Sequence, residues 1–273
     1  MQFNYFSHNG EVKPISEATV SLLDVGYQYG FGVYETLRVI DAKPQFLSEH
    51  TERLLTSAHH ITLEHTLTEA AIQDFVTKLI DTLEQGTYNL KLLLIGGATA
   101  AEADVYMFAS NPLFPDKKLY RDGVHTITQK GERLFPQAKT LNMLQSYLSY
   151  KAAKEAGAYD ALMVNRDGYV TEGTRTNFFT ITGKTIFTPP SNEILDGVTR
   201  RHVLVVAAEA GFTVEEVSIT PEQIQEYDGA FLTSTSTKIM PIKSIDEFSY
   251  SQMSSELQAL QRAFDTYLES VRI

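Results

Sequence analysis

The chain has 273 residues, 43% of them hydrophobic and 21% charged, with a formal net charge of −11 and no cysteine. That length suits one large domain or two ordinary ones, in a globular fold of everyday composition. The acidic balance argues against a nucleic-acid partner, the missing cysteines exclude disulfides and thiolate metal sites, and no apolar run reaches bilayer-spanning length.

The first residues, M-Q-F-N-Y-F-S-H, hold no basic stretch ahead of an apolar core, so no signal peptide and a cytoplasmic home are expected. Residues 3–8 and Val12 read as a hairpin about the turn dipeptide Asn9-Gly10. Residues 24–32 mix aromatic residues with glycine and predict a tight loop whose backbone approaches something closely. Residues 33–40 alternate as a strand, with Tyr34, Thr36 and Arg38 on one face, and Phe46-Leu47 close a hairpin with it. Ser48 is placed to cap a helix over 49–61, and a second amphipathic helix follows over 68–83. Residues 90–95 and 105–109 predict strands. N-P-L-F-P-D at 111–116 has two prolines and no periodicity, so a boundary is expected there. The domains are then 1–112, a small α/β domain; 113–118, a linker; and 119–273, a larger domain.

In the second half, strands are predicted at 124–129, 161–164, 170–171, 177–181, 185–187, 213–217 and 229–233. Helices are predicted at 143–156, 198–210 (stopped by Gly211), 221–226 and 252–271. The mixture predicts a two-domain α+β fold.

Lys139 follows Leu134, Phe135 and Pro136 and precedes Leu141, Met143 and Leu144. Apolar surroundings disfavour an ammonium, and a neutral amine can attack a carbonyl to form a Schiff base. On spacing alone a solvated lysine ahead of a helix is the more ordinary reading. Glu172, before Gly173, reads as a strand-end carboxylate. L-D-G-V-T-R at 195–200 opens a helix, where free N–H groups suit an anion, or where Asp196 simply caps. S-T-S-T at 234–237 is a hydroxyl-rich turn. His59, His60 and His65 read as helix-surface residues and not as a metal site.

Taken together, K-T-L-N at 139–142, D-A-L-M-V-N-x-D-G-Y-V-T-E-G-x-x-x-N-F-F from Asp160, T-P-P at 188–190 and I-L-D-G-V-T-R from Ile194 resemble the fold-type IV family of pyridoxal-phosphate enzymes, over roughly residues 3–245. That family holds branched-chain and D-amino-acid aminotransferases and 4-amino-4-deoxychorismate lyases. The resemblance implies a D-amino-acid aminotransferase-like fold, a homodimer, and pyridoxal 5'-phosphate (PLP) carried on Lys139. By the same resemblance Glu172 keeps the pyridine nitrogen protonated and Leu195 packs on the ring. Gly197, Val198, Thr199, Thr235, Ser236 and Arg53 hold the phosphate, and Asn177 supports the site. Several relatives carry an arginine near Gly96 that grips a substrate carboxylate; here the chain reads L-I-G-G-A-T-A, which leaves Arg38 and Arg175, with Tyr34, as substrate-binding candidates. Y-E-T-L-R-V and K-T-L-N resemble most the lyase that releases p-aminobenzoate and pyruvate in folate biosynthesis, with the Thr36 hydroxyl assisting the leaving group. G-Y-Q-Y-G-F-G-V-Y-E and F-L-T-S-T-S-T-K-I-M-P support the alternative, an amino-acid transaminase of D-amino-acid or branched-chain type.

Overall fold

A computed structural model describes residues 1–112 and 114–271, and the chain divides into two units. The first is Met1–Leu113 with Gln137–Asn142; the second is Phe114–Pro136 with Met143–Ile273. The segment around Lys139 thus belongs with the N-terminal half, although the sequence assigns all of 119–273 to the C-terminal domain. Residue 113 of the expected linker lies outside the described residues.

The first unit contains β1 (Tyr5–His8), β2 (Glu11–Pro14), α1 (Val25–Tyr29), β3 (Gly32–Ile40), β4 (Lys43–Pro44), α2 (Leu47–His60), α3 (Glu69–Ile80), β5 (Thr87–Ile95) and β6 (Asp104–Ser110). Asn9 and Gly10 both adopt positive φ, which the two-residue turn between β1 and β2 requires. The strands form one antiparallel sheet in the order β2-β1-β6-β5-β3-β4. Alternation decides its two faces. Val33, Leu37 and Val39 join Leu90, Leu92, Leu94, Val105 and Met107 in a core with Leu54 and Ala58 of α2 and Ile72, Val76 and Leu79 of α3. Tyr34, Thr36 and Arg38 fall on the opposite face.

Local chemistry departs from the sequence reading in three places. Residues 25–29 form a short helix where a loop is expected, closed by Gly30 at φ 63°. The hairpin partner of β3 is β4, three residues earlier than Phe46-Leu47. Phe46 takes a left-handed conformation and itself precedes α2, while the Ser48 hydroxyl donates to Glu69 Oε1 at 2.8 Å and does not cap.

The second unit contains α4 (Lys117–Asp122), β7 (Val124–Lys130), α5 (Leu144–Glu155), β8 (Asp160–Val164), β9 (Val170–Gly173), β10 (Asn177–Thr182), β11 (Thr185–Thr188), α6 (Val198–Glu209), β12 (Thr213–Glu216), β13 (Gly229–Ser234), β14 (Lys238–Ile245), β15 (Phe248–Ser249) and α7 (Ser255–Ser270). Its sheet runs β12-β11-β10-β13-β14-β7-β8-β9, and β9 pairs again with β10, so six strands close on themselves. One face of β10 and β13 gives Phe179, Ile181 and Phe231 to a core with α6 and α7; the other gives Phe178, Ala230 and Leu232 to a second core. The sequence reading assigns no element to residues 238–245, which form β14 with Pro241 in its middle. β7 pairs β14 only from Ile242 onward, so the proline stands where that neighbour makes no ladder.

Candidate active site

In the first unit, K-T-L-N is drawn onto the open edge of β3. Val33 bridges Thr140, Tyr34 N donates to Lys139 O at 2.9 Å, and Leu141 N donates to Gly32 O at 2.8 Å. β4 reaches only Val39 and Ile40, so this end of β3 needs another partner for its backbone groups. Ser57 of α2 adds a tie, accepting from Lys139 N at 3.1 Å. The half-buried Lys139 places Nζ 4.8 Å from the centroid of the buried Tyr34 ring, and Lys91 Nζ lies 5.2 Å from the same centroid. Leu134, Phe135 and Leu144, the flanks from which a desolvated amine is expected, are exposed. Within the first unit, the Tyr34 ring and the Lys91 ammonium lie in the setting of Lys139.

Thr36 is half-buried and stands opposite Lys91 in the β3–β5 register; Arg38 stands opposite Asn89. Paired residues share a face, so Tyr34, Thr36, Arg38 and Lys91 line one surface of the sheet. The sequence reading misses Lys91. Its signal is a lone lysine in the strand T-Y-N-L-K-L-L-L-I.

Beneath the opposite face lies a buried charge cluster. Arg53 clamps Glu35 with Nε to Oε1 at 2.6 Å and Nη2 to Oε2 at 2.9 Å, and His50 Nδ1 meets Glu35 Oε2 at 2.8 Å. Burial pushes the Glu35 carboxyl up, but Arg53 and His50 outweigh it and hold it well below the usual carboxylate range. Burial holds His50 below its ordinary value against the pull of Glu35, which fits a neutral ring donating Nδ1–H. Glu35 is legible in hindsight: alternation puts it on the face of Val33 and Leu37, and a core carboxylate demands cations. H-T-E-R sets His50 and Arg53 three apart on one helix face.

In the second unit, Glu172 pairs with Asn177 across β9 and β10, and Asn177 pairs with Thr233 on β13. Glu172 is buried, and Arg133 Nε lies 2.5 Å from its Oε1. Arg133 carries no sequence signal that singles it out. Asn177 Nδ2 donates to Leu195 O at 2.7 Å, and Leu195 N reaches Glu172 Oε2 at 3.4 Å. This pins the turn that leads into α6. Gly197 is the N-cap, with no side chain capping it, and a Cβ there would collide with Asn177 Oδ1. Val198 and Thr199 therefore start the helix with amide groups available to an anion. Asp196 does not cap; it pairs with Arg201 Nε at 2.6 Å and Arg200 Nη1 at 3.3 Å. Thr235 and Ser236 occupy the turn after β13, which Ser234 and Thr237 close through a hydroxyl pair at 2.8 Å. Arg175 is exposed, its guanidinium 4.4 Å from the centroid of the Tyr150 ring. A buried carboxylate two strands away from a hydroxyl turn, with an uncapped helix start tied between them, fits a flat cationic ring bearing a phosphate.

Residues 32–245 match the family described as amino-transferase class IV. A D-alanine aminotransferase of Bacillus licheniformis is 33% identical over 250 residues, covering 87% of each chain. A putative branched-chain-amino-acid aminotransferase of Methanocaldococcus jannaschii is 31% identical, covering 87% of this chain and 86% of its own. Among solved structures, the branched-chain aminotransferase of Thermoproteus uzoniensis with norvaline superimposes with TM-score 0.87 at 26% identity, covering 99% of this chain and 95% of that one. The chain belongs to the amino-transferase class IV family: it is a PLP-dependent enzyme of fold type IV. The relatives' names favour the transaminase alternative over the aminodeoxychorismate lyase.

Proposed function

We propose that the protein is an amino-acid transaminase with a D-amino acid such as D-alanine as donor; a branched-chain amino acid is the second reading, favoured by the Methanocaldococcus relative. The observation that carries the assignment is Lys139 held by its backbone on β3, with Nζ over the Tyr34 ring. Bound PLP supplies an electron-withdrawing ring that acidifies the α-hydrogen of an attached amino acid. Lys139 Nζ holds the cofactor at rest and moves the proton from and to the reacting carbons. Glu172, held by Arg133, keeps a proton on the pyridine nitrogen. Gly197, Val198, Thr199, Thr235 and Ser236 receive the phosphate, with Arg53, whose Nε edge Glu35 fixes. Leu195 packs on the ring. Lys91 joins Arg38 and Tyr34 as the carboxylate grip that the missing arginine near Gly96 would otherwise provide. Thr36 on the same face orients the substrate. Each chain works as half of a homodimer.

The test mixes PLP-loaded protein with 2-oxoglutarate and, separately, D-alanine, L-leucine and aminodeoxychorismate. Keto acid from D-alanine, abolished by Lys139→Ala, is expected. Turnover of L-leucine alone installs the second reading, and p-aminobenzoate release defeats both.

A further inference from the structure

Thr233, to which the proposed cofactor site gives no role, stands at the end of a row that begins with Glu172. It is 1% exposed, and its hydroxyl has no hydrogen-bond partner among the described residues. A buried hydroxyl left unpaired is costly, so such a group calls for an explanation. Its place in the sheet supplies one. Thr233 pairs with Asn177, and Asn177 with Glu172, so the three side chains share one face of β9, β10 and β13. Asn177 is the residue that ties down the Leu195–Gly197 turn. The same face carries Phe179 and Phe231, on which α6 packs. Thr233 is also followed directly by Ser234 and the Thr235–Ser236 turn. From Glu172 to Thr233 is two strand spacings, about 9.6 Å, a span that suits the ring nitrogen at one end and the phosphate at the other. Among the described residues the buried Ser7 hydroxyl also lacks a partner, but it lies on β1 of the first unit; Thr180 lies on the opposite face of β10 and interacts with Tyr227.

We propose that the Thr233 hydroxyl is a third hydroxyl of the phosphate cup, donating to a phosphate oxygen of bound PLP. The inference rests on the cofactor placement proposed above and adds to it a residue that neither motif nor relatives' names supply. In the loaded protein the orphan hydroxyl gains a charged acceptor, the stronger kind of hydrogen bond.

The test compares wild type, Thr233→Val, Thr233→Ser and Thr235→Ala. Resolved protein is titrated with PLP and, in parallel, with pyridoxal, which lacks the phosphate; melting is followed without cofactor. Thr233→Val keeps the shape and removes the hydroxyl. Its PLP affinity is expected to fall about tenfold, its pyridoxal affinity to stay, and its cofactor-free melting temperature not to drop, because an unpaired polar group has gone. Thr233→Ser is expected to restore PLP affinity. Unchanged PLP affinity in Thr233→Val overturns the proposal, as does an equal loss for both ligands. If Thr235→Ala alone weakens PLP, the cup is rightly placed and Thr233 is outside it. If neither variant matters, the placement itself fails.

Discussion

Lys91, in the substrate grip proposed above, and His50, in the buried charge cluster, call for different tests. Lys91 points its ammonium at the ring that Lys139 also approaches, and makes no ion pair among the described residues. A cation so placed attracts a carboxylate without touching the phosphate end. Lys91→Met is expected to raise KM for the amino-acid donor about tenfold, the scale of one charge-assisted hydrogen bond, with PLP affinity unchanged; an unaltered KM removes Lys91 from the grip. His50 works through acid stability. Its folded pKa lies below the ordinary 6.5, so the unfolded chain takes up the proton first as pH falls. The stabilisation is complete above that value and is lost below it. Glu35, ordinarily at 4.5 and depressed in the fold, adds a second loss below pH 4.5 in the same direction. Denaturant midpoints should therefore decline from about pH 6.5, by at most about 1.4 kcal/mol per pH unit for one proton. His50→Gln should flatten the profile between pH 6.5 and 5 and leave the lower decline in place.

Strong local patterns were legible at the level of elements. The Asn9-Gly10 hairpin, the alternation of β3 and the amphipathic helix α3 follow from short-range chemistry. What was not legible depends on contacts distant in sequence. β14 holds Pro241 in its middle, Arg133 finds Glu172 only through the closed sheet, and K-T-L-N reaches β3 from more than a hundred residues away. The turn before α6 joins both kinds. Its glycine shows in the motif, and the reason for it, Asn177 Oδ1 in the space of a Cβ, shows only in the fold. Gly197→Ala should displace Asn177 or the turn, at the cost of roughly 1–3 kcal/mol usual for overpacking. PLP affinity should fall tenfold or more while far-ultraviolet circular dichroism stays as in wild type. Full affinity in that variant would mean that the turn gives way without consequence for the cofactor.

Each unit leaves a concentrated apolar surface. In the first, Leu22 is 82% exposed, Leu23 84% and Tyr29 76%, all within or beside α1. In the second, Leu134 is 73% exposed, and Leu144, Tyr147 and Leu148 expose one stretch of α5. Single exposed apolar residues are common on monomers, but two adjacent leucines standing almost wholly in water are a different matter. Their burial against a second copy would return about 25 cal/mol per Å² of apolar area. A net charge of −11 opposes association at long range, so any contact between copies would have to be carried by such patches. Light scattering of the PLP-loaded protein is expected to give twice the chain mass of 30.6 kDa. Leu22→Asp with Leu23→Asp should shift it toward the single chain by burying charge in the interface. If wild type runs as one 30.6 kDa species at concentrations where it is fully active, the homodimer is refuted. If the double variant stays dimeric, the segment around α1 is not where the copies meet, and the exposed face of α5 becomes the surface to change next.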